Sequence, residues 1–283
     1  MKIAHYALLI ASLLLASGPP AQADAIVQEY FVPMPEAQLR QAFLKLAPKA
    51  GSTLDLVISM QVPVNGTRVV FDHWEDGYEI DIHNPAQATT LIWGDGNNAN
   101  GIPPGLANDP LGLPAGTVLA LRNLVPLPRT SAILYDGRDR VGATQAIVMS
   151  RTAWATDPGA LLADSTFVPS TADYGIAFTL PVGQDVIFPT PLTSSMFEYV
   201  AAFIMAAEDG TTNIQVDKDA NGAFETSVNL NQGESYLVDG GILKGAKIQS
   251  TKYVQVQLFT GDIGANYENR WYTRASAHKG AKK

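Results

Sequence analysis

No cysteine occurs anywhere in the 283 residues. Disulfides, thiolate metal sites, a cysteine nucleophile and a lipid on an N-terminal cysteine are therefore all excluded. Histidine is nearly as scarce. Of the four, His5 falls in the N-terminal apolar stretch and His278 near the end, so His73 and His83 are the only candidate catalytic imidazoles. There is no G-x-S-x-G elbow and no H-E-x-x-H. Gly94-Asp95-Gly96 is followed by no helical pattern, which removes the helix N-terminus that a phosphate loop needs. Positive charge is short as well, with 19 Lys and Arg against 27 Asp and Glu and a net charge of −8. Such a surface repels nucleic acid phosphates and attracts cations.

Long apolar runs are missing too. The one near the start, Ala7 to Ala16, holds five leucines and an isoleucine and is about half the roughly 20 residues that cross a bilayer. Lys2 precedes it, Gly18-Pro19-Pro20 breaks it, and Ala21-Gln22-Ala23 offers the small residues that signal peptidase reads. Residues 1–23 therefore read as a signal peptide cleaved before Asp24. The mature chain is expected to be secreted, whether extracellular, at the cell surface or periplasmic, and no transmembrane anchor is expected in it.

What is abundant is turn chemistry: 24 glycines and 18 prolines. One helix is expected between Pro35 and Pro48, where Leu39, Phe43, Leu44 and Leu46 recur at helical spacing. The rest reads as short strands: 54–60, 67–71, 117–121, 131–135, 145–150, 199–206, 212–216, 225–230, 235–238 and 253–260. The fold class is all-β, of sandwich type.

Two segments recur. Gly66 to Asp72 with Asp76-Gly77 aligns with Thr211 to Asp217 with Asn221-Gly222, at an offset of 145 residues (217 − 72, 222 − 77). Arg140 to Thr144 aligns with Lys247 to Thr251 at an offset of 107 (247 − 140). The expectation is two related β-sandwich lobes from an internal duplication. After the leader come an N-terminal segment with a short helix (24–50), a first lobe (51–155) with a long loop (84–114), and a connecting segment (156–194). The second lobe (195–273) and a disordered tail (274–283) complete the chain.

Asp217-Lys218-Asp219-Ala220-Asn221-Gly222 fits the first half of a calcium loop, in which alternate residues turn oxygens inward and the glycine lets the backbone reverse. The candidate ligands are Asp217, Asp219, Asn221, the Ala223 carbonyl and Glu225. Val228 stands where an EF-hand has its glutamate, and strands flank the loop, so this would be a hairpin site. An Asx-rich turn closed by its own hydrogen bonds fits the same residues. The counterpart string, Asp72 to Asp81, is the densest acidic cluster, and Asp72, Glu75, Asp76 and Glu79 form a candidate second acidic site. Pairing of 67–71 with 78–82 would put Glu75-Asp76-Gly77 at a turn. Adjacent side chains on a strand point to opposite faces, which argues against the paired carboxylates of a glycosidase.

The string Asp72-His73-Trp74-Glu75-Asp76-Gly77-Tyr78-Glu79, together with Gln87 to Thr90, Trp93 to Gly96, Tyr135-Asp136-Gly137 and Tyr267 to Thr273, resembles bacterial secreted or surface proteins. The likeness is to the IgG Fc-binding protein N-terminal domain, over about residues 27–273. It implies a β-rich extracellular binding or adhesion module whose partner is a protein or glycan, and it carries over no catalytic residues. Members of such a group are expected to continue into further β domains, whereas the residues from Ala275 onward carry no strand pattern. Calcium is the one expected cofactor. A secreted hydrolase acting on polysaccharide or ester bonds, and a self-assembling surface subunit, remain the alternatives.

Overall fold

A computed structural model describes residues 25–48, 53–186, 196–265 and 269–274. The leader (1–23) and the tail beyond Arg274 lie outside the described residues. Among the described residues there is one α-helix, one 3-10 turn at Thr171–Asp173 and fifteen strands. In chain order the first eight strands are β1 (Gln28–Phe31), β2 (Thr53–Gln61), β3 (Val69–Asp72), β4 (Leu91–Trp93), β5 (Val118–Pro126), β6 (Arg140–Ala143), β7 (Val148–Ala155) and β8 (Ala163–Val168). Then come β9 (Gly175–Thr179), β10 (Tyr199–Ala206), β11 (Thr212–Asp217), β12 (Thr226–Leu230), β13 (Ser235–Val238), β14 (Lys247–Gly261) and β15 (Asn269–Arg274).

The helix, α1 (Glu36–Leu46), starts directly after Pro35, whose carbonyl accepts the N–H groups of Gln38 and Leu39. Glu36 in the first turn and Lys45 in the last complement the helix dipole. Leu39, Ala42, Phe43 and Leu46 make its buried stripe at the i, i+3, i+4, i+7 spacing.

Two four-stranded antiparallel sheets form the N-terminal half, ordered β1-β6-β3-β4 and β5-β2-β7-β8. Alternation along β2 aims Leu54, Leu56, Ile58 and Met60 inward, into one core cluster with Val69, Phe71, Trp93 and Val141 of the other sheet. The C-terminal half is one seven-stranded sheet. Its fifteen-residue β14 is long enough to serve two ladders: one part pairs with β9 and β11, and the other with β10 and β15. With β12 beside β11 and β13 beside β10, the order is β9-β14-β11-β12 and β13-β10-β14-β15. This is the N-terminal order again, with β14 in the places of both β6 and β7. The registers agree: Val69↔Ala143 and Asp72↔Arg140 in one half, Ile214↔Ser250 and Asp217↔Lys247 in the other.

Every residue of β10 is buried, which accounts for its unbroken apolar run. Val200, Ala202 and Ile204 enter a second core with Ile214, Val216 and Ile248. Tyr199, Ala201 and Phe203 face the first core, where α1 lies across them. Phe43 of α1 sits 5.8 Å from Phe259 and 6.2 Å from Trp271, ring centroid to centroid. The helix thus joins the two halves. Arg151, fully buried, reinforces the joint by donating to the Pro33 and Met34 carbonyls and to the Glu36 carboxylate.

Three readings of the sequence change. Residues 131–135 are not a strand: Leu134 gives its N–H to Glu75, and the Tyr135 carbonyl accepts from Asn123. Residues 78–82 do not pair with β3, whose neighbours are β4 and β6; Tyr78 instead donates its hydroxyl to the Arg138 carbonyl and packs edge-on against Phe31. The stretch 156–194 carries β8 and β9, each hydrogen-bonded into a sheet.

Candidate functional site

Asp217 ends β11 and is fully buried, and its carboxylate accepts the N–H groups of Asn221 (3.1 Å) and Gly222 (3.0 Å). The chain reverses through Ala220 (φ 60°) and Gly222 (φ 94°), both left-handed, where glycine carries no steric penalty. Glu225 folds back to accept the Lys218 N–H at 3.1 Å. Carboxylate oxygens of Asp217, Asp219 and Glu225 all lie within 4.8 Å of one another. Asp219 is held below the usual carboxylate range, first by a hydrogen bond shared with Glu225 and then by the Asn221 N–H. Of the other two expected ligands, Asn221 is otherwise engaged, its amide oxygen accepting the Ala223 N–H at 2.7 Å. Three of the five expected residues therefore converge through their carboxylates.

The acidic string of the N-terminal half does not converge in the expected way. Asp72 is buried, accepts the Glu79 N–H at 3.1 Å and lies 4.0 Å from the Arg140 guanidinium. Burial outweighs those contacts and pushes its pKa up to about 6, helped by the charges of Glu79 and Asp76. Glu79 turns inward to accept from the Ala86 and Gln87 N–H groups and the Thr90 hydroxyl, which pins the start of the long loop. Asp76 stays exposed and accepts from Thr89. Glu75 leaves in another direction, toward Arg129 and the Leu134 N–H. Asp72, Glu75, Asp76 and Glu79 thus serve separate partners, and Glu75 and Asp76 do not face one substrate.

Glu75 instead joins residues far away in sequence. The ladder that sets Asp72 opposite Arg140 brings His73 beside Asp139, with Nδ1 3.7 Å from Oδ2. One ligating atom from each of His73, Glu75 and Asp139 lies within 4.8 Å of the others. Asp136 adjoins this group, accepting from Trp74 Nε1 (2.8 Å) and Arg129 Nε (2.7 Å). Burial above all, then the charges of Glu36 and Asp139, push Asp136 up to about 9. Asp139 is also raised well above the carboxylate range, by burial first and by Glu75 second. Two guanidinium groups lie over the Trp74 ring, Arg138 at 4.2 Å and Arg129 at 5.6 Å from its centroid. The D-x-x-D spacing of Asp136 and Asp139 was the available signal for this cluster, and it lies 55 residues beyond the end of the acidic string (136 − 81).

The remaining motifs are absorbed by the fold. Gly94, Asp95 and Gly96 point three successive N–H groups at one carboxylate, that of Asp109, at 2.7–3.0 Å. This concavity for an anion is filled by the chain itself. His83 accepts the Ile26 N–H through Nδ1. Neither family models, curated proteins nor solved structures gave a match. Among the described residues, no helix is long and apolar enough to cross a membrane.

Proposed function

We propose that this chain is a secreted, extracellular binding module of adhesion type, built as two related β-sandwich lobes by internal duplication and stabilised by calcium in the 217–225 loop. The observation that carries the calcium assignment is the convergence of Asp217, Asp219 and Glu225 at the end of a buried strand. Hard cations take oxygen ligands of this kind, and close carboxylates repel one another until a cation neutralises them. The recurrence of strand order and register at offsets of 145 and 107 residues supports the duplication. Secretion rests on the leader pattern of residues 1–23. The binding role rests on the likeness to Fc-binding-type N-terminal domains and on the outward face of the β5-β2-β7-β8 sheet. That face exposes the apolar side chains Val118, Leu124, Val148 and Phe167 among polar neighbours such as Gln61 and Arg122. A hydrolytic role has no comparable support, because Glu75 and Asp76 diverge.

Thermal melting of the wild type and of Asp217→Asn/Asp219→Asn, in millimolar calcium and in chelator, tests the metal. Calcium should raise only the wild-type midpoint, and a wild-type midpoint indifferent to both conditions would remove the site. Screening the immobilised mature chain against matrix proteins and glycans tests the module. Retention of no ligand in calcium would overturn the binding role.

A further inference from the structure

We propose that His73, Glu75 and Asp139, completed by the Leu134 carbonyl, form a second metal site that takes a borderline divalent cation of the zinc type rather than calcium. Donors bound at about 2.0–2.1 Å to one tetrahedral centre lie roughly 3.3 Å from each other. His73 Nδ1 stands 3.0 Å from the Leu134 carbonyl oxygen and 3.7 Å from Asp139 Oδ2, on either side of that spacing. The Glu75 carboxylate belongs to the same cluster, with a ligating oxygen within 4.8 Å of those of His73 and Asp139.

Glu75 supplies the independent sign of a ligand. Its side chain is only 3% exposed, and Oε2 is buried without any hydrogen-bond partner. A buried carboxylate oxygen with nothing to accept from is costly. Charge points the same way. Of the three buried carboxylates Glu75, Asp136 and Asp139, the Arg129 guanidinium reaches the first two. Among the described residues, Asp139 has no Lys or Arg within ion-pair distance, and its carboxylate oxygens accept only the N–H groups of Trp74 and Asp136. A divalent cation would supply the missing positive charge.

The donor set selects the metal. Imidazole suits zinc, copper, iron and nickel, whereas calcium takes oxygen alone, so the Asp217 loop and this cluster would sort two kinds of cation. Ligation by Nδ1 would replace the hydrogen bond that this atom otherwise makes with the Leu134 carbonyl. With His73 and Asp139 both buried, the role is structural, tying the turn after β3 to the turn before β6.

The test uses the whole mature chain, refolded with Co²⁺ or Zn²⁺ after chelation. The folded wild type should hold one equivalent, displaced by zinc but not by millimolar calcium, and Co²⁺ should show the visible absorption of a tetrahedral site. Asp217→Asn/Asp219→Asn should keep that signal, and the near-isosteric Glu75→Gln should weaken binding by at least about tenfold. Near-UV circular dichroism reports whether each variant is folded. Folded wild type without a tetrahedral Co²⁺ band, or with a band lost in the Asp217 variant and kept in Glu75→Gln, overturns the assignment. Should Glu75→Gln fail to fold, the wild-type band and its resistance to calcium still decide.

Discussion

Asp72 and Asp217 end strands of the same register, facing Arg140 in one half and Lys247 in the other, yet the loops after them behave differently. After Asp217 the chain turns within a few residues, and Asp219 and Glu225 stay at the surface with their carboxylates together. After Asp72 the chain runs into a much longer excursion. Glu79 is drawn in to pin that excursion and Glu75 is pulled to Arg129, while Asp72 is buried just as Asp217 is. The same strand end can thus present carboxylates to a cation or bury them among arginines, and the length of chain that follows decides which. The residues beside the aspartates diverge accordingly: His73 and Asp139 in one half are met by Lys218 and Ala246 in the other, so the His73 cluster has no counterpart.

The largest effect expected from breaking this comparison comes from exchanging Arg151 for the residue at its counterpart position, Leu258. Arg151→Leu strands the buried Glu36 carboxylate and should cost about 3–5 kcal/mol in urea unfolding. Adding Glu36→Gln should return a substantial part of that loss. An unchanged midpoint in the single variant would mean that the ion pair does not hold α1 in place.

Next comes the cation-dependent difference between the halves. At a hundredfold excess over Kd, calcium should stabilise the wild type by about 2.7 kcal/mol and Asp217→Asn/Asp219→Asn not at all. A calcium shift that survives in the double variant would place the site elsewhere in the chain.

Acid should separate the halves in another way. Because the native state holds Asp72 up at about 6, the folded protein binds its proton more tightly than the unfolded chain. That contribution to stability is complete below the ordinary carboxylate range and is lost as pH rises toward about 6. Asp72→Asn should flatten this part of the profile, measured as urea midpoints between pH 4 and 7. A slope that persists in the variant assigns the proton to another group.

The smallest effect is local. Gly222→Ala meets no neighbour within 4 Å, so only its left-handed φ of 94° is penalised. About 1 kcal/mol of destabilisation is expected. A larger loss in calcium than in chelator would tie the reversal to the ion.

The elements that could be read from the sequence were those whose burial leaves a local pattern. β10 is buried on both faces and α1 on one stripe, so an unbroken apolar run and a helical period betrayed them. β1, β4 and β6 are three or four residues long, too short for any alternation to register, and they exist because neighbours supply the ladder. Residues 131–135 look strand-like because Ile133, Leu134 and Tyr135 are apolar, but their backbone groups are taken by side chains. The 217–225 loop was legible because its groups are local. The His73 cluster was not, because pairing of β3 with β6 brings its members together from 64 to 66 residues apart, by 139 − 75 and 139 − 73.

The continuity of β14 has a mechanical consequence. In the N-terminal half, the corresponding stretch is interrupted between Ala143 and Val148, so a pull on one sheet reaches the other through a corner that belongs to neither ladder. In the C-terminal half a single extended strand carries both ladders, and tension entering at Lys247 runs along one backbone to Gly261. Loaded along that axis, the four strands paired to β14 must shear together, while the N-terminal sheets can give way one after the other.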